Sequence, residues 1–101
     1  MRLEGAGRAV ARDDAAGVER ILRAVLEDVL GLDPVRVAGF DDATPLFGAM
    51  PEFDSITVAA LLTALEERLG IVIDDDEVDA DMMETFGALL AFARAKALAE
   101  P

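Results

Sequence analysis

DSITVAALLTALEERLGIVIDDDEV, residues 54–78, carries the pattern on which the fold turns. Val58, Leu61, Leu62, Leu65 and Leu69 recur at i, i+3, i+4, i+7 and i+11, the apolar stripe of a helix expected over Ser55–Leu69. Asp54 or Ser55 can cap its start, since a short side-chain oxygen can accept from a free N–H of the first turn. Gly70 is a natural stop, because the left-handed residue that ends many helices costs glycine least. After Gly70 come a short apolar link, Ile71-Val72-Ile73, and an acidic stretch, Asp74 to Asp81, expected to hold a short helical turn.

Two more segments share the helical period. From about Asp14 to Leu30, Val18, Ile21, Leu22, Val25, Val29 and Leu30 form one stripe. Asp13 or Asp14 can cap that helix and Gly31 can close it. The other face, with Glu19, Arg23 and Glu27, offers charge pairs at i,i+4. A last helix is expected over Thr85–Leu98, with Phe86, Leu89, Leu90, Ala93 and Ala97 inward. Residues 31–53 contain Pro34, Gly39, Pro45, Gly48 and Pro51, which argue against any regular element. Their apolar residues Leu32, Val35, Val37, Phe40, Leu46 and Phe47 predict instead a long ordered crossover pinned to the core.

The expected fold class is therefore all-α: a small four-helix bundle, three longer helices plus one short, with a long ordered loop between helices 1 and 2. Residues 1–13 read as a flexible tail, 14–98 as the bundle and 99–101 as a C-terminal tail. With 101 residues, the chain can bury one modest core.

Composition excludes several kinds of chemistry. There is no Cys and no His, so disulfides, thiolate nucleophiles, Ser-His triads and the usual zinc ligands are absent. The net charge is -12, the wrong sign for binding nucleic acid. Acidity is uneven: residues 1–53 carry 10 acids against 6 bases, residues 54–101 carry 11 against 3. From Glu52 to Glu84 the only base is Arg68. A recognition surface for basic partners is thus expected in the second half. No apolar run approaches the ~20 residues of a membrane span, and no secretory signal is visible, so a cytoplasmic location is expected.

Candidate sites differ in weight. An EF-hand loop needs oxygen ligands at positions 1, 3 and 5, Gly at 6 and Glu at 12. Counting from Asp74 puts Val78 and Asp79 at positions 5 and 6, and counting from Asp75 puts Ala80 at 6 and Phe86 at 12. Both frames fail, so no dedicated metal site is expected. GAGRAV at residues 5–10 lacks the lysine and the preceding strand of a phosphate loop. Glu66 and Glu67 are adjacent on a helix, point about 100° apart, and do not converge as a catalytic pair. An autonomous enzyme is not expected. Asp54-Ser55-Ile56 remains. Alone it is a capping signal, but here it follows a long ordered loop and opens an amphipathic helix in a strongly acidic domain.

That context resembles the acyl carrier protein family, whose signature is D-S-L at the start of its second helix. Here D-S-I stands at residues 54–56. The stretch Leu62 to Ile71 with the acids after it is similar to that family's helix and following turn, and Phe86 to Phe92 to its final helix. The resemblance covers roughly residues 14–98. Two departures stand out. Phe47-Gly48-Ala49-Met50-Pro51-Glu52-Phe53 replaces the usual approach to the serine, and Thr57, Ala59 and Ala60 occupy first-turn positions where acids are usual.

The resemblance implies a covalent 4'-phosphopantetheine arm on Ser55, with Asp54 beside it for recognition by a phosphopantetheinyl transferase. Its thiol would carry acyl groups as thioesters, which supplies the sulfur a chain without Cys lacks. It also implies that acyl chains can fold back between the helices. Ile56, Ala59, Thr63, Glu66 and Glu67 form the expected docking strip, with core packing as the alternative for Ile56. Expected partners are the transferase and acyl-loading, elongating or acyltransferase enzymes with basic docking surfaces. The departures point to a specialised lipid or polyketide-type pathway, and acidity favours acyl over aminoacyl cargo. A monomer is expected. An unmodified interaction adaptor and a calcium-responsive helical protein are the rival readings.

Overall fold

The computed structural model describes residues 15–98. The expected tails and the Asp13 or Asp14 cap lie outside the described residues. Four α-helices follow one another: α1 (Ala15–Leu30), α2 (Pro34–Ala38), α3 (Ser55–Leu69) and α4 (Phe86–Ala97). Among the described residues there is no strand, only an isolated bridge between Pro45 and Thr85.

The three long helices occur where their periodicity placed them. α1 is central, packing against both α3 and α4. It buries Val18, Leu22, Val25 and Leu26, and Leu26 belongs to the apolar stripe although the expected set omitted it. α3 buries Val58, Leu61, Leu65 and Leu69, while α4 buries Phe86, Leu89, Leu90 and Ala93. Gly70 takes a left-handed conformation (φ 67°, ψ 39°), and its N–H donates to Glu66 O, closing α3 as expected. Thr85 caps α4, its side chain accepting from Ala88 N at 3.1 Å.

The crossover corrects the expectation that residues 31–53 hold no regular element. A short α-helix, α2, lies here in addition to the helical turns expected in the acidic stretch. Pro34 does not break it, because Pro34 stands in its first turn, where an N–H would have no partner anyway. Asp33 caps it, accepting from Val35 N at 2.8 Å. Val37 is fully buried, but Val35, expected to pin the loop, is 81% exposed. The acidic stretch forms two 3-10 turns, Asp75–Glu77 and Asp81–Met83.

Leu32, Phe40, Leu46 and Phe53 anchor the rest of the crossover in the core. It is also sewn to the chain before and within α4. Leu46 N donates to Glu84 O, Phe47 N to Met83 O, Phe86 N to Thr44 O and Gly87 N to Asp42 O, at 2.8–3.1 Å. Gly87 permits that approach: a Cβ there would lie 2.7 Å from Asp42 O.

The i,i+4 pairing expected of Arg23 is present, and Arg23 makes further contacts across the fold. Its guanidinium donates to Val37 O and Phe40 O and lies 4.5 Å from the centre of the Phe86 ring. Arg23 also pairs with Glu19 at 2.7 Å, and Glu19 takes Arg94 on its other oxygen at 3.1 Å. Hydrogen bonding from Arg23, above all, holds the Glu19 carboxyl below its ordinary range, against the opposing push of partial burial. A polar side chain thus joins α1, the end of α2 and the ring at the start of α4.

Candidate functional site

Ser55 is the first residue of α3, and it is exposed. The chain on either side of it is fixed. Phe53 is buried two residues before, Val58 three residues after, and turns closed by Met50 N to Leu46 O (2.9 Å) and Phe53 N to Met50 O (3.0 Å) lead up to it. Arg36 on α2 donates to Glu52 at 3.0 Å and braces the same approach. Ser55 therefore projects from an anchored platform, at a helix start where free N–H groups and the positive dipole end favour an anionic ester.

Asp54 is the helix cap. Its carboxylate accepts from Thr57 N at 2.8 Å and also from the Thr57 hydroxyl. These bonds, the hydroxyl first, hold its carboxyl below the ordinary carboxylate range, so it stays ionised. Thr57 was noted in the sequence only as a missing acid. Its spacing, three residues past an aspartate cap, is the signal that could have revealed it: it stands where a capping box places its reciprocal partner.

Two grooves open at Ser55. One, about 490 Å³, runs along α3 between Ser55, Val58, Ala59, Leu62, Thr63 and Glu66 on one side and Ile73, Asp75 and Val78 on the other. Leu62, expected in the core, is half-buried and lines it. The second, about 480 Å³, is formed by Phe47 to Pro51, Phe53, Asp54 and Ser55, the segment where the sequence departs from the usual approach.

Of the expected docking residues, Ala59, Thr63 and Glu66 share the α3 groove with Ser55, whereas Ile56 and Glu67 stand beside it. At 100° per residue, all lie within about 120° of the helix circumference. Ile56 is 84% exposed, which removes core packing as its explanation. Ala59, Thr63 and Glu67 are exposed too, and Glu66 is half-buried. The acids Asp74, Asp75, Asp76, Asp79 and Asp81 are exposed nearby in the chain. Among the described residues no three acidic side chains come together to hold a metal ion.

Residues 20–93 match the family model described as the phosphopantetheine attachment site. The chain belongs to the acyl carrier protein family. A holo acyl carrier protein from Nitrosomonas europaea, solved in solution by NMR, is 39% identical, with a TM-score of 0.67 over 76% of this chain and 90% of that one. A comparison with curated proteins gives no match. The family is one of carriers, not enzymes, and its cofactor is covalent phosphopantetheine. Membership implies dealings with a transferase and with acyl-handling enzymes. Among the described residues, no helix of this carrier is long and apolar enough to cross a membrane. Ser55 is also the only serine in the chain, a signal for the candidate site that the sequence itself carries.

Proposed function

We propose that this carrier bears its 4'-phosphopantetheine on Ser55 and presents acyl thioesters to partner enzymes of a specialised lipid or polyketide-type pathway in the cytoplasm. The observation that carries the reading is the presentation of Ser55. The chain's sole serine is exposed at the first position of α3, on an anchored platform, where two grooves meet. When bound, the arm supplies the terminal thiol that forms the thioester.

The chain's own residues hold and present. Asp54, fixed by Thr57, offers an ionised carboxylate beside the serine for recognition by the phosphopantetheinyl transferase. The N-terminal amides of α3 favour the phosphodiester charge. The groove of Val58, Leu62, Ile73 and Val78 offers apolar surface within reach of the attachment point. Ile56, Ala59, Thr63 and Glu67 form a small apolar patch edged with acid, suited to brief docking on basic surfaces of a monomeric carrier. Weak electrostatic contact fits a protein that must leave each partner after delivering cargo.

Proteolytic mapping tests the site. After incubation with coenzyme A, magnesium and a broad-specificity transferase, the added mass is expected on the fragment containing Ser55. An adduct confined to a fragment lacking Ser55 would overturn the assignment.

A further inference from the structure

Glu66 stands on the strip expected to dock partners, yet its carboxylate is turned to another task. Glu66 Oε2 accepts from Ile73 N at 2.7 Å. Ile73 belongs to the wall of the α3 groove opposite the helix, together with Asp75 and Val78. That wall holds no α-helix, only the 3-10 turn Asp75–Glu77. Its backbone bonds are local: Ile71 N to Glu66 O (3.1 Å), Glu77 N to Asp74 O (2.9 Å) and Val78 N to Asp75 O (3.2 Å).

The wall also repels itself. Asp74, Asp75, Asp76, Glu77 and Asp79 follow one another with no base among them. Two side-chain fastenings oppose this. Glu66 holds Ile73 to α3, and Lys96 on α4 lies 2.9 and 3.0 Å from the two carboxylate oxygens of Glu77. The Lys96–Glu77 pair is itself half-buried, where it is screened less than a pair in open water. Across the groove, Val58 and Leu62 on the helix and Ile73 and Val78 on the wall supply the apolar lining. The position of Ile73 therefore decides how closely two apolar surfaces approach one another.

We propose that Glu66 is a positioning residue for cargo: through Ile73 N it fixes the width of the α3 groove and so sets how well an acyl chain is sheltered there. The Lys96–Glu77 pair is the second fastening of the same wall. The proposal rests on Ser55 being the attachment point.

Two substitutions separate this role from docking. Glu66→Gln and Glu66→Ala both remove the charge, but only glutamine keeps an oxygen that can accept from Ile73 N. A docking role through charge is lost equally in both. A role through the hydrogen bond is lost only in the alanine variant. In the unloaded protein, amide exchange at Ile73 is expected to quicken about 10-fold in Glu66→Ala and to stay near wild type in Glu66→Gln. In loaded protein, hydroxylamine is expected to cleave an octanoyl thioester more slowly than an acetyl thioester for wild type and Glu66→Gln, with that difference lost in Glu66→Ala.

Unchanged Ile73 exchange in Glu66→Ala, equal impairment of both variants, or equal cleavage of octanoyl and acetyl thioesters in wild type would each overturn the proposal while loading on Ser55 stood. Failure of wild type to load would overturn the Ser55 reading and the cargo role together. Exchange in the unloaded protein would then still decide whether Glu66 holds the wall.

Discussion

The two sides of this bundle are fastened in different ways. On the side of α1, α2 and α4, the crossover is bonded to residues 83–87 through its backbone, and the half-buried Arg23 joins three elements. On the side of α3, the acidic wall has local backbone bonds and side-chain contacts to Glu66 on α3 and Lys96 on α4, and the strip from Ser55 to Glu67 faces solvent. A carrier needs both. Its attachment point must be held in a fixed place, while the surface around it must engage and release partners without a large dry interface. Backbone bonds fasten the one side, and side-chain contacts fasten the acidic wall of the other.

Substitutions can break that division, and they rank by expected effect on stability. Arg23→Met removes bonds to two backbone carbonyls and the contact with the Phe86 ring. It is expected to cost about 3 kcal/mol in denaturant unfolding, with Ser55 still loaded under native conditions. If loading failed while the fold survived, the two sides would not be separable.

Asp54→Ala removes the cap of α3 and is expected to lower stability by less than Arg23→Met does. It should slow transferase loading by more than that loss accounts for, as measured by initial rates well below the unfolding transition. An unchanged rate would confine Asp54 to capping.

Acid sharpens the comparison further. Glu19 is held below its ordinary value of 4.5, so its pairing stabilises the fold above that pH and is lost as pH falls through the lowered folded-state pKa. The difference in melting temperature between wild type and Glu19→Gln should be full at neutral pH and shrink below about pH 4.5. A difference that persisted or grew on acidification would contradict the pairing. The smallest effect is expected at Ile56, 84% exposed: Ile56→Ala should leave stability within about 0.5 kcal/mol but weaken binding to acyl-handling partners. A large loss of stability would place Ile56 in the fold after all.

The same contrast separates what could be read in the sequence from what could not. α3 was legible to its ends, because an aspartate cap, a leucine stripe and Gly70 all point to the same boundaries. The place of Ser55 at the first position of α3 was legible for the same reason. α2 was not, since Pro34 and Gly39 were weighed as breakers although the one starts and the other ends a helix of five residues. For Arg23, period alone gives the pair with Glu19 four residues away but not its bonds to the crossover. Its partners, Val37 O and Phe40 O, lie 14 and 17 residues away across the crossover. Glu66 shows the same limit. Its spacing places it on the exposed strip, whereas its bond to Ile73 depends on how the chain turns back after Gly70. Contacts made within one helix were visible in the pattern, and contacts made after a turn were not.

The most direct test of the account is intact-mass analysis of wild type and Ser55→Ala after incubation with coenzyme A, magnesium and a phosphopantetheinyl transferase. The account predicts one added phosphopantetheine on wild type and none on Ser55→Ala. Modification of Ser55→Ala, or no gain on wild type with several transferases, would contradict it, the latter leaving an unmodified adaptor as the better description.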